Sequence, residues 1–122
     1  MKRLFPIIVV LFASFGCSKD KDTQNPVILL TTPTLGQVFT NGASIQIIGT
    51  VTDDKIVNEV LVRVTNAVTG AVIIEFTSTP QSPSTSLNYM LGANSGIHYR
   101  LQVIAKDGVR NDARVTVEFT CN

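Results

Sequence analysis

Ile97, Tyr99, Leu101, Val103 and Ala105 stand at every second position of one unbroken run, with His98, Arg100, Gln102 and Ile104 between them. A period of two puts successive side chains on opposite faces of a strand, whereas a helix needs a spacing near 3.6. The same period recurs along the chain. It is carried by Ile45, Ile47, Gly49 and Val51, by Val60, Val62 and Val64, by Val72, Ile74 and Phe76, by Leu87, Tyr89 and Leu91, and by Val115, Val117 and Phe119. Val27 to Leu30 is a further apolar strand, opening after Pro26. From residue 26 onward no window sustains a helical period.

Turn-forming residues punctuate these runs. A kink is expected over Thr31–Gly36, and turns at Asn41-Gly42, at Thr69-Gly70 and over Gly92–Gly96. Asp53-Asp54 and Asp107-Gly108 read as loops, and Ser78 to Thr85, with Pro80 and Pro83, reads as a longer one. About seven strands with turn signals every 8–12 residues are the spacing of an antiparallel β-sandwich. Each strand carries one apolar face, so each sheet has a buried and a solvated side. The connections are too short for the crossover helices of a parallel fold. The chain is thus expected to be all-β, with one sandwich domain over residues 26–122.

The first residues follow a different logic. Met1-Lys2-Arg3 is basic, and Leu4 to Phe15 is almost wholly apolar. This is the make-up of a secretory signal peptide, and it falls short of the roughly 20 apolar residues of a membrane-spanning helix. Gly16-Cys17 at its end resembles the lipobox of bacterial lipoproteins, in the relaxed form of the Bacteroidota, with Ser14 where Leu is usual. The resemblance implies cleavage after residue 16 and a diacylglycerol on Cys17. It also implies a place in the cell envelope, at the outer membrane. Residues 17–25 then form the acylated cysteine and a polar linker, Ser18 to Asn25. Cleavage removes Lys2 and Arg3 and no acid. The ten Lys and Arg of the whole chain fall to eight against nine Asp and Glu, a formal charge of −1. That balance offers no electrostatic footprint for nucleic acid. With Cys17 acylated, Cys121 has no partner in the chain and is a free thiol or pairs between molecules.

Tyr99 to Gly108 resembles strand F of immunoglobulin-like domains of the fibronectin type III, cadherin and bacterial Ig-like kind. In those families a tyrosine at this place bonds through its hydroxyl to nearby backbone. The opening from Val27 through Thr32-Pro33-Thr34, Gly36, Phe39, Gly42 and Ile45 resembles bacterial Ig-like modules too. So does Gly49 to Asp54 with the following Val57 and Val60–Val64. The resemblance covers Pro26 to Thr120. It implies an immunoglobulin-like sandwich, a fold that hosts many unrelated activities.

In such a sandwich the B–C and F–G loops share one end. Asp53 and Asp54 would then lie near Asp107, Asn111 and Asp112, an oxygen-rich set of the kind calcium takes. These residues are equally ordinary turn formers. His98, the one histidine, points outward by alternation, and with one other thiol in the chain it makes no zinc site. No nucleophile–base–acid set, phosphate loop or carboxylate pair is visible, so an enzyme is not expected and no cofactor is implied. The remaining candidate is the solvent face formed by Leu61, Arg63, His98, Arg100, Gln102, Ile104, Arg114 and Glu118, a mixture of Arg and aliphatic groups of the kind interfaces use. The expected function is binding or adhesion at the envelope, toward a protein or glycan. The second expectation is a periplasm-facing structural or accessory subunit of an envelope assembly, with calcium at the loop end as a stabilising ion.

Overall fold

A computed structural model describes residues 24–122. The expected signal peptide, Cys17 and most of the linker lie outside the described residues. The described chain is all-β and runs through β1 (Val27–Thr32), β2 (Val38–Phe39), β3 (Ser44–Asn66), β4 (Val72–Ser78), β5 (Ser82–Gly92), β6 (His98–Asp107) and β7 (Asp112–Cys121).

The longest strand organises the rest. The first half of β3 pairs antiparallel with β1 on one side and β5 on the other. Its second half pairs with β4 and β6, and β6 pairs with β7. The result is a three-stranded layer, β1-β3-β5, and a four-stranded layer, β4-β3-β6-β7. One strand is shared between them, so all seven strands form one hydrogen-bonded network. The inward residues of both layers meet in a single core that includes Ile45, Ile47, Val51 and Leu87 from the first and Val62, Val64, Leu101, Val103 and Phe119 from the second. The alternation in the sequence is the cause: inward positions of β3 are buried and the positions between them exposed along nearly its whole first half.

Three details differ from the sequence expectation. Asp53-Asp54 is not a loop between two strands, because β3 continues through it. The Asp53 carboxylate turns the backbone locally: its Oδ2 accepts the N–H groups of Lys55 and Ile56, both at 3.1 Å. The registers shift across this segment, between Thr52 and Val57 against β5 and between Val57 and Glu59 against β6. Strand β5 starts at Ser82, inside the expected loop. There the Gln81 side chain donates to the Asn58 carbonyl at 3.1 Å, and Gln81 N donates to Val57 O at 3.0 Å. Finally, Val38–Phe39 is a short strand, parallel to the end of β7.

Aromatic pairs close the layers on each other. Phe76 of β4 stacks on Tyr89 of β5 at 4.2 Å, bridging the two layers. Tyr99 stacks on Phe119 at 5.1 Å, and Phe39 meets the same ring edge-on at 5.5 Å. Contacts of this geometry add about 0.5–1.5 kcal/mol beyond burial. Cys121, the expected terminal thiol, is instead a core residue, free and 4 % exposed.

Candidate interaction surface

The loop end of the sandwich uses its carboxylates to build the backbone. Asp107 is buried; its Oδ1 accepts from the N–H groups of Val109 and Asn111 at 2.9 Å, and its Oδ2 from the Asn111 side-chain amide at 2.8 Å. This holds the hairpin between β6 and β7, in which Arg110 takes a φ of 76°. Asp112 lies 3.6 Å from Arg114. Asp53 serves its own turn through Oδ2, and its Oδ1 is buried with no hydrogen-bond partner among the described residues. Asp54 is exposed. Among the described residues no three or more His, Cys, Asp and Glu stand so as to hold a metal ion. Of the donor set expected for calcium, Asp53, Asp54, Asp107, Asn111 and Asp112, the buried Asp53 and Asp107 each accept backbone N–H groups of their own turns. Beside it, a depression of about 430 Å³ is lined by Asn58, Lys106, Asp107, Gly108, Arg110, Asn111 and Asp112.

The solvent face of the four-stranded layer is assembled as the alternation predicts. Strand register sets Thr77, Leu61, Ile104 and Arg114 in one row across β4, β3, β6 and β7. The next row is Glu75, Arg63, Gln102 and Thr116, and beyond it Arg100 lies opposite Glu118. The arginines are tied down. Arg63 Nε donates to Glu75 Oε2 at 2.8 Å, and Arg100 donates through Nε and Nη2 to Glu118 Oε1 at 3.0 and 2.8 Å. His98 Nε2 lies 3.6 Å from the other Glu118 oxygen. Such pairs at a wet surface are worth about 0–1 kcal/mol each, so they orient side chains more than they hold the fold. Leu61 and Ile104 are half-buried between these pairs, not fully exposed as the sequence suggests.

On this layer the exposed aliphatic groups are Val72 and Ile73 of the edge strand β4. On the three-stranded layer Val27 and Leu29 are 63 % and 66 % exposed, Met90 59 % and Ile48 36 %. Sequence reasoning missed this face, because Val27-Ile28-Leu29-Leu30 is a continuous apolar run with no polar residue to mark its outer side.

A family model described as a bacterial Ig domain matches residues 26–117. Among solved structures, the fibronectin(III)-like modules of Clostridium thermocellum CbhA are similar over 80 % of this chain and 47 % of theirs, at 22 % identity and a TM-score of 0.55. The chain thus spans about half the length of that structure. A CARDB domain from Pyrococcus furiosus, described in complex with di-metal ions, is similar over 80 % of this chain and 93 % of its own, at 14 % identity and a TM-score of 0.46. No curated protein matches the chain. The first of these likenesses is one of fold.

Proposed function

Since the chain belongs to the bacterial Ig domain family, whose fold is typically a non-catalytic binding or structural module, we propose that it is a lipid-anchored binding or adhesion module of the cell envelope. The observation that carries the binding role is the face of β4-β3-β6-β7. Arg63 and Arg100 are each fixed by a glutamate, and Leu61 and Ile104 lie opposite each other beside them. A partner docking there meets side chains already oriented, so less rotamer freedom is lost on binding. The order of segments supports the anchor: an apolar stretch, Gly16-Cys17, a polar linker of eight residues, and then the sandwich. The acyl chains on Cys17 hold the protein at the outer membrane, and the linker gives the domain its reach.

The second reading, an accessory subunit facing the periplasm, differs in which side of the membrane the domain occupies. Protease treatment of intact cells, with an epitope tag placed after Asn122, separates the two. Loss of the tag on whole cells supports capture of an external protein or glycan. Protection until the envelope is broken overturns adhesion and makes the accessory role the working assignment.

A further inference from the structure

The two solvent faces of the sandwich differ in charge. Strands β1 and β5 and residues 44–52 of β3 contain no Asp, Glu, Lys, Arg or His. The polar groups that this layer presents are Ser, Thr, Asn and Gln. The opposite layer presents the paired charges described above. Within the uncharged face Leu29 lies opposite Thr50, Ile48 opposite Asn88, and Met90 opposite Gln46. Leu29, Ile48 and Met90 are therefore diagonal neighbours on three adjacent strands, a step of about 7–8 Å each. Val27 extends the line along β1.

We infer that this uncharged face of β1-β3-β5 rests on the lipid surface to which the chain is anchored. The inference rests on the lipid-anchor reading above. Two observations select a membrane as the occupant. The segment outside the described residues ends three residues before β1, the edge strand of this face. Only Ser18 to Asn25 separate Cys17 from Pro26, so the tether spans at most about 30–32 Å when fully extended. The tether thus holds the sandwich within reach of the bilayer, and the difference in charge selects the face. Docking it brings Asp54 and Lys55 near lipid only at its Val27 end, whereas docking the opposite face would bring Arg63, Glu75, Arg100 and Glu118 against lipid. Hydroxyl and amide side chains suit the headgroup region, and the four aliphatic groups suit the boundary with the acyl chains. In that posture the Arg-bearing face points away from the membrane, toward a partner.

The chain has no tryptophan, which makes a single introduced indole a clean probe. Three full-length variants are made in cells and purified acylated: Leu29→Trp, Met90→Trp and, on the opposite layer, Thr116→Trp. All three positions are exposed, and circular dichroism checks that each variant folds. They are reconstituted in phosphatidylethanolamine–phosphatidylglycerol vesicles carrying bromine near the headgroup end of the acyl chains. The expected result is quenching at positions 29 and 90 at least about twofold stronger than at 116, unchanged by salt. Equal, weak quenching in all three while the protein floats with the vesicles overturns the orientation and leaves the anchor intact. Failure to float removes the anchor and the orientation together. A blue shift at 29 and 90 that depends on protein concentration and not on lipid overturns the inference in favour of a second copy on this face.

Discussion

The backbone N–H of Asn94 donates to the hydroxyl oxygen of Tyr99 at 2.9 Å, tying the turn between β5 and β6 to a ring that is fully buried against Phe119. One side chain thereby fixes the approach of the chain to the central strand β6 and fills the core beneath it. This is the tyrosine corner that the resemblance of Tyr99–Gly108 implies. Tyr99→Phe keeps the ring and removes the acceptor. It is expected to lower stability by about 1 kcal/mol, with an unchanged denaturant slope. Urea unfolding of the variant checks this, and a loss below a few tenths of a kcal/mol would mean that the bond contributes nothing net.

Gly49 of β3 lies opposite Leu30 of β1, with the β1 backbone close against it. A Cβ there would lie 2.5 Å from the Leu29 carbonyl oxygen and 3.1 Å from Leu30 Cα, both backbone atoms. Gly49→Ala must push β1 outward and is expected to cost about 1–3 kcal/mol. Amide hydrogen exchange of β1 should accelerate while that of β6 follows only the global change. Unchanged protection of β1 would show that the strand is not held as described.

The hairpin between β6 and β7 depends on one carboxylate. Asp107→Ala leaves the N–H groups of Val109 and Asn111 without their acceptor, at an expected cost of about 2–3 kcal/mol. Asp112→Ala, at an exposed residue with a 3.6 Å ion pair, should change stability by less than about 0.5 kcal/mol. Thermal melts of the two variants side by side test the contrast. Equal losses would contradict the division between a turn-building and a solvated acid.

Cys121 should resist thiol reagents in the native protein and react once the protein is unfolded, because it is 4 % exposed within the core. Cys121→Ser places a hydroxyl there and is expected to destabilise by about 1–3 kcal/mol, while Cys121→Ala leaves only a small cavity. Rapid native labelling would contradict its burial.

The strands were legible where alternation was strict. Ile45, Ile47 and Val51 and the run from Tyr99 to Ala105 announce their inward faces, and register then forces Leu61, Ile104 and Arg114 into one row. Side chains that act on their own backbone were not legible. Asp53-Asp54 reads as a loop because Asp favours turns, yet Asp53 bends a strand that continues. Nor does the sequence show that Asp53 and Asp107 accept N–H groups two to four residues away. The uncharged outer face was hidden for a different reason. Burial depends on which strands flank Val27, Leu29 and Met90, and that information is not local.

Both the proposed function and the membrane-facing orientation rest on Cys17, so the most direct measurement is mass spectrometry of the mature protein extracted from membranes. The account predicts an N-terminal peptide that begins at Cys17 and carries the mass of a diacylglycerol on that residue. A peptide that begins elsewhere, or one that begins at Cys17 with an unmodified thiol, would contradict it.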